Sequence, residues 1–338
     1  MSNKVVLLTG GLGYIGSHIA VELAMKGFDI VILDNLYNSS EKTISDIEKI
    51  VRKKITFIKG DIRDKAKLED LFLRYNFEVV IHLAGLKAVG ESVDHPLTYF
   101  DNNISGSVCL FQTMHKYKVK KIIFSSTATV YGSSNKIPYT EEMPVGNTTN
   151  PYSRSKLIIE NILRDLALSD KEWSVVNLRY FNPVGAHYSG LIGENPKGRP
   201  NNLMPIITQV AIGKIPKVEV YGNDYITIDG TGVRDYIHVV DLAKGHVDAL
   251  MYSIKNQGEI SINLGTGSGV SVLQLIKKFE EINNLSIPFS IHPRRKGDID
   301  QFFADASLAR KILNWEAKLS LGDMCRDSWN FQKKNLSG

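Results

Sequence analysis

Val5-Val6-Leu7-Leu8-Thr9-Gly10-Gly11-Leu12-Gly13-Tyr14-Ile15-Gly16-Ser17-His18 reads as a strand, a turn and the start of a helix. Four apolar residues form a short buried strand, and Ile15, Ile19 and Leu23 then recur on one helical face. The glycines fit both Gly11-x-Gly13-x-x-Gly16 and Gly10-x-x-Gly13-x-x-Gly16. Glycine serves such a turn by taking positive φ, by letting the backbone approach a pyrophosphate and by letting helix pack closely on strand. A helix N-terminus adds unpaired N–H groups and a partial positive charge, so the stretch reads as a phosphate site, an ordinary turn being the alternative for the glycine pattern alone.

A second strand, Asp29 to Leu33, ends in Asp34, which lies 18 residues beyond Gly16. A carboxylate at that strand tip accepts hydrogen bonds from an adenosine ribose and repels a 2′-phosphate, which selects NAD over NADP. A helix-capping or turn role is the alternative for Asp34, and Asn35 is placed to share the ribose. The chain then alternates: a helix over 44–51, a strand Ile55 to Ile58, and Gly60-Asp61-Ile62, where Asp61 either receives the adenine amino group or caps a helix. The fourth strand, Glu78 to Leu83, ends in Ala84-Gly85-Leu86-Lys87; small residues let a cofactor lie on the backbone. Lys87 approaches its phosphates or ribose, or is simply solvated.

The fifth strand, Lys121 to Phe124, runs into Ser125-Ser126-Thr127-Ala128-Thr129-Val130-Tyr131-Gly132. Hydroxyls at the carboxyl end of a central strand sit where doubly wound sheets bind ligands. Asn150-Pro151 opens a helix, Asn as N-cap and Pro in the first position, and Tyr152 and Lys156 follow on one face, a turn apart. A phenol titrates near 10, and an ammonium within about 4–6 Å lowers that by about 1–3 units, so Lys156 is expected to depress Tyr152. Tyr152 then takes a proton from a sugar hydroxyl that Thr127 holds, and Lys156 also reaches the nicotinamide ribose.

With 338 residues and 43% hydrophobic content the chain can bury one large or two unequal domains. A formal charge of +5, with basic and acidic residues dispersed, calls for neither nucleic acid nor membrane. Cys109 and Cys325 are far apart, which argues against a disulfide framework or zinc site and for a reducing cytoplasm. The eight histidines show no metal-ligand spacing, no metal is expected, and His238 and His246 are expected to pack or face solvent. With strand one starting at Val5, no signal peptide is expected, and no apolar run approaches membrane-spanning length.

Thr9 to Gly16, Leu83-Ala84-Gly85, Ser125 to Gly132 and Tyr152-x-x-x-Lys156 together resemble the extended short-chain dehydrogenases/reductases. Within these, Ala84 to Ser92, Arg179 to Ala186, Pro200 to Pro205 and Gly230 to Val239 resemble the UDP-glucose 4-epimerase family, nearly end to end. The resemblance implies an α/β fold: a Rossmann-like doubly wound parallel sheet over residues 1–180, to which 236–265 returns, and a smaller C-terminal α/β domain over 181–338 that binds a UDP-sugar. It implies NAD contacts at Gly10, Gly13, Tyr14, Ile15, Gly16, Asp34, Asn35, Asp61, Ile62, Leu83, Ala84, Gly85, Lys87, Asn102, Ser125, Tyr152, Lys156 and Tyr180. On the substrate side it implies Phe181, Asn182, Asn202 and Leu203 at the sugar and diphosphate, and Glu219, Val220 and Tyr221 around the uracil. Arg234 and Arg295 then clamp the diphosphate, as always-charged bidentate donors suit phosphate oxygens, and Asp298 takes the uridine ribose.

The implied reaction is C4 epimerisation of UDP-glucose and UDP-galactose through a 4-keto intermediate, with the hydride held on bound NAD and returned to the other face. Strong anchoring of UDP and few directional contacts to the hexose would permit the flip. Thr127 stands where many members carry Ser. Related dehydratases and decarboxylases place a carboxylate just after this hydroxyl; Ala128 and Thr129 stand here, which favours epimerisation over the dehydratase or lyase alternative. Retention of Thr127, Tyr152 and Lys156 speaks against a non-catalytic NAD sensor. Phe302 falls where family members use side-chain size to admit or exclude a 2-acetamido group, so UDP-glucose and UDP-galactose are expected rather than their N-acetyl forms. Helices near 104–117 and 152–168 are expected to form a homodimer's four-helix interface, burial within the monomer being the alternative.

Overall fold

The computed structural model describes residues 5–132, 136–198, 200–295 and 297–336. Seven strands form its central sheet: β1 (Val5–Thr9), β2 (Asp29–Asp34), β3 (Thr56–Lys59), β4 (Phe77–His82), β5 (Lys121–Thr127), β6 (Ser174–Tyr180) and β7 (Gly258–Leu264). Their spatial order is β3-β2-β1-β4-β5-β6-β7 and every pairing is parallel. The order reverses between β1 and β4, and in a doubly wound sheet the ligand crevice opens outside the carboxyl ends of the strands at that switch.

Apolar runs in these strands feed both faces because alternate side chains point opposite ways. Val6 and Leu8 of β1 join Val79 and Ile81 of β4 in one cluster, with Ile19 and Leu23 of helix Tyr14–Met25 and Leu242 and Leu250 of helix Val239–Ser253. Leu7 and Val80 enter the opposite cluster, with Leu71 of helix Lys65–Arg74, Leu110 of helix Gly106–Lys116 and Leu163 of helix Pro151–Ser169. Strand β7 and helix Val239–Ser253 therefore belong physically to the layers of the large sheet although they follow residue 181. A separate core unites Met204, Ile207, Val218, Val220, Phe279 and Met324.

The helix read near 104–117 starts differently. Helix Pro96–Phe100 runs through a π turn, Asp101–Ser105, into Gly106–Lys116. Such single wide turns are rare and concentrate at functional sites, and helical periodicity in the sequence does not betray them.

Histidines are part of this core. His18, His82 and His246 are buried, and burial lowers the first two to about 3 and the third to about 4. These values lie below the ordinary value near 6.5, so the unfolded chain binds protons that the native one does not. Stability is then complete above about pH 6.5 and is lost as pH falls from there, towards 4 for His246 and towards 3 for His18 and His82, by about 1.4 kcal/mol per pH unit for each. Calorimetry should show a lower Tm at pH 5 than at pH 7.5; equal values would mean that these rings are protonated in the native state.

Candidate active site

The glycine turn caps the switch point. Gly10 adopts φ +71°, in the left-handed region, and a Cβ there would lie 2.8 Å from the Ala84 backbone nitrogen. Gly13 is the N-cap of helix Tyr14–Met25 and brings no side chain to its end. Leu83 N–H donates to the Thr9 carbonyl at 3.1 Å, which lays the Ala84-Gly85 shelf of β4 beside the turn. Tyr14 donates from its hydroxyl to the Gly185 carbonyl at 2.8 Å, and Ile15 packs against the core.

Asp34 closes β2 with its carboxylate turned to this turn: it accepts from Leu12 N–H at 3.0 Å, from Leu36 N–H at 2.9 Å and from the Ser39 hydroxyl at 2.8 Å. It thus braces the glycine turn, which is the turn role read as its alternative. Asn35 points its amide to Asp61 at 3.0 Å. Asp61 is not a helix cap; Asp64 is, accepting from Lys67 N–H at 3.0 Å. Arg63 grips Asp61 through Nε and Nη2 at 2.9 Å each, and these bonds hold its carboxyl well below the usual range. Ile62 is buried beneath. Lys87 forms an ion pair with Glu194 at 3.0 Å and lies 6.0 Å from the Tyr14 ring, while its side chain stays about half exposed, so the solvated alternative stands beside the ligand role.

Thr127 caps a 3₁₀ turn, Ala128–Tyr131, accepting from Thr129 N–H at 3.2 Å. Asn150 caps helix Pro151–Ser169 by accepting from Ser153 N–H at 2.9 Å, and Pro151 opens it. Ser153 ties the two elements together, donating to Thr129 Oγ1 at 2.7 Å. Tyr152 is thereby brought near Thr127, close enough for that hydroxyl to oppose the effect of burial on the phenol.

Lys156 does not act on Tyr152 as expected. Its ammonium donates to the Ser125 carbonyl at 2.6 Å and lies 4.8 Å over the Phe124 ring. Burial pushes the Tyr152 phenol up to about 12, against the opposing pull of the Thr127 hydroxyl, and lowers Lys156 to about 8. The depressed phenol inferred from the four-residue spacing is thus not present: desolvation outweighs an ammonium already committed to a carbonyl and a ring. Tyr180, beside Thr127 in register, hydrogen-bonds His246 and is likewise raised by burial.

On the substrate side, the short parallel pairing of Val233–Arg234 with Gln301–Phe302 sets Arg234 opposite Phe302. Arg234 donates to the carbonyls of Val233 at 2.8 Å and Ile299 at 3.0 Å, and Asp298 stands 3.9 Å from it. Arg295 stacks 3.9 Å over Tyr221, whose hydroxyl donates to Glu219 at 2.7 Å. Val220 between them faces the core, so its side chain is unavailable to a uracil and only its backbone could contribute. Phe302 lies 5.0 Å from Phe181 and 4.6 Å from Tyr139. Asn182 N–H donates to the Asp235 carbonyl at 2.9 Å, and Asn202 donates to Glu194 at 2.7 Å just before Leu203 opens a helix.

Two residues that hold this arrangement escaped the sequence reading. Asp235 is buried and accepts from Thr266 N–H and hydroxyl, Gly267 N–H and Ala304 N–H, stitching three loops at the substrate side; burial raises its carboxyl despite these donors. Asn103, in the π turn next to half-buried Asn102, accepts from Leu86 N–H at 2.8 Å and donates to the Leu86 carbonyl and to Ser155. It joins the end of the Ala84-Gly85-Leu86 shelf to the Tyr152 helix. His82 extends that line, bonding Thr9 and Ser107 at 2.8 Å each. Among the described residues no cluster suited to a metal is found.

A helix docked through Tyr152 and Lys156 on the fifth strand of this sheet, facing a glycine-rich turn on the first, defines the class: an extended short-chain dehydrogenase/reductase. A family model described as GDP-mannose 4,6 dehydratase matches residues 7–328. The UDP-glucose 4-epimerase of Bacillus subtilis (strain 168) is 54% identical over 333 residues, covering 98% of each chain. The solved UDP-glucose-4-epimerase of Stenotrophomonas maltophila, with bound NAD and formylated UDP-arabinopyranose, has TM-score 0.97 and 49% identity over 99% of each chain. That of Bifidobacterium longum, in complex with NAD+ and UDP, has TM-score 0.95 and 53% identity, covering 99% of this chain and 100% of that one. The chain belongs to the UDP-glucose 4-epimerase family.

Proposed function

We propose that this protein interconverts UDP-glucose and UDP-galactose at C4, with NAD at the β1–β4 switch point. The observation that carries the reading is the Tyr152 phenol held near Thr127 at the tip of β5, two strands from a glycine turn packed so closely on the Ala84 backbone that Gly10 has no room for a Cβ. A bare turn, a helix N-terminus at Gly13 and the Asp34 carboxylate fit the diphosphate and ribose of NAD. NAD supplies the hydride acceptor and donor that makes a redox-neutral epimerisation possible.

The chain's own residues supply the rest. Thr127 holds the 4-hydroxyl, and Tyr152 removes its proton and later returns one to the 4-keto sugar. Lys156 places a positive charge beneath the site. Arg234 and Arg295, from separate segments, grip the diphosphate, Asp298 and the Glu219–Tyr221 strand hold the uridine, and the hexose is left free to present its other face. The large sheet with 236–265 carries the cofactor and the remainder of 181–338 carries the sugar nucleotide.

The match to a dehydratase model does not favour dehydration. Elimination calls for a further acid or base beside Thr127, and the following residue is Ala128, buried in the aromatic cluster with Phe181 and Phe302. We also infer that Phe302, wedged between Tyr139 and Phe181, excludes a 2-acetamido group. A homodimer accounts for Val93, Leu97 and Leu168, which are 58%, 80% and 76% exposed on helices that border or form the Tyr152 helix layer. Two free, separated cysteines suit a reducing cytoplasm.

Purified protein mixed with UDP-galactose and no added NAD should form UDP-glucose without net reduction of cofactor. UDP-N-acetylgalactosamine should turn over poorly until Phe302→Cys makes room. No conversion of UDP-galactose even with NAD added would end the epimerase reading, and efficient wild-type turnover of the N-acetyl sugar would end the role given to Phe302.

A further inference from the structure

Glu160 lies one turn beyond Lys156 on helix Pro151–Ser169 and is fully buried. Arg179 of β6 grips it with a two-pronged contact, Nε to Oε1 at 3.0 Å and Nη2 to Oε2 at 2.8 Å. Ser126 donates to the same carboxylate. The third prong of Arg179 reaches the Tyr131 hydroxyl at 3.0 Å, and that hydroxyl donates to Asn263 of β7 at 2.7 Å. In the β5–β6 register Ser126 stands opposite Arg179 and Thr127 opposite Tyr180.

Two rungs therefore join the helix to the tip of β5, a turn apart: Lys156 to the Ser125 carbonyl and Glu160 to the Ser126 hydroxyl. They add to the Ser153–Thr129 bond that anchors the helix start to the 3₁₀ turn just beyond the strand. Two rungs set both its rotation and its depth, and Thr127 is the next residue along the strand. A buried ion pair is no more stabilising than apolar side chains of the same volume, so stability alone does not account for it. A planar fork on a carboxylate does what apolar packing cannot, which is to fix one register.

We propose that Glu160 and Arg179 are positioning residues for the reaction, locking the Tyr152–Lys156 helix onto the tip of β5 so that Tyr152 meets Thr127. The proposal rests on the assignment of Tyr152 and Lys156 to catalysis. It has an electrostatic corollary. The groups facing Lys156 are Tyr152 and Glu160 on its own helix, His82 on β4, and the uncharged Ser125 carbonyl and Phe124 ring on β5. His82 is held neutral by burial, and Arg179 lies beyond Glu160. Glu160 is thus the anion that opposes the loss of the Lys156 proton.

Glu160→Gln keeps the shape and removes the charge, whereas Arg179→Lys keeps the charge and removes the fork. In the holoenzyme, Glu160→Gln should lower kcat about tenfold or more, as a small misplacement of reacting groups does, with little change in KM for UDP-galactose. It should also move the alkaline limb of the kcat–pH profile to lower pH. Arg179→Lys should lower kcat and leave that limb in place. Ser126→Ala, which removes one rung and leaves the ion pair, covers the case in which Glu160→Gln does not fold, and should lower kcat about threefold. Folded variants with wild-type kcat and pH profile would overturn the proposal. A fully active Tyr152→Phe enzyme would instead overturn the catalytic assignment beneath it, so the two failures are distinguishable.

Discussion

Tyr152→Phe is expected to leave a folded enzyme that binds UDP-sugar and NAD but turns over about 10²–10⁴ times more slowly, the usual contribution of a positioned acid or base. The substitution removes one hydroxyl, which lies near Thr127. That threonine keeps its bonds to Thr129, so the 3₁₀ turn at the end of β5 keeps its cap. The helix keeps its own anchors: Asn150 at its start, Ser153 on Thr129 and Lys156 on Ser125. Tm should accordingly move little, KM should stay near wild type, and the loss should fall on kcat, as it does when a group acts on the reacting proton in the transition state alone. Turnover within threefold of wild type would remove Tyr152 from the mechanism.

The same residue shows what a sequence can and cannot carry. The start of its helix is written locally, in Asn150 followed by Pro151, because capping and the fixed φ of proline depend on neighbours in the chain. The glycine turn is legible for the same reason, since each glycine answers to a contact within a few residues or on the adjoining strand. The acidity of the phenol is not local. It depends on where the Lys156 ammonium points, and that is set by the Ser125 carbonyl and the Phe124 ring on another element. A four-residue spacing brings two side chains to one face without saying whether they address each other or the sheet below.

Longer-range polar chains are hidden more completely. Thr9, His82, Ser107, Asn103 and Ser155 come from five segments and none is unusual in its own stretch, yet their hydrogen bonds run from the phosphate turn to the Tyr152 helix. The strand order that makes this possible is itself non-local. Alternating strands and helices imply a parallel sheet, whereas the reversal at β1 and β4 emerges only from the pairings. The segment after residue 236 shows the converse: Ser261-Ile262-Asn263-Leu264 before Gly265 reads as a strand, and its place at the far edge, beside β6, is set by contacts with residues some eighty positions earlier.

Gly16→Ala should separate the cofactor cradle from general stability. In an ordinary helix the change would be favourable by up to about 1 kcal/mol. Here a Cβ would press into the Gly10 carbonyl oxygen and lie 2.7 Å from the Gly11 Cα, both backbone atoms of the turn. No side chain can swing aside, so the helix must back away from the loop, at a cost of about 1–3 kcal/mol. That movement also displaces the helix N-terminus that Gly13 caps, the part of the cradle meant for a pyrophosphate. Gly27→Ala provides the comparison: at φ +85° it strains the backbone, but its Cβ meets nothing within 4 Å and the site is at the far end of the helix. Both variants should lose Tm, whereas only Gly16→Ala should weaken NAD binding in a titration, by about tenfold or more, since about 1.4 kcal/mol corresponds to that factor. Wild-type affinity in Gly16→Ala would mean that the dinucleotide does not rest on this turn, and equal weakening in Gly27→Ala would mean that affinity follows stability rather than the cradle.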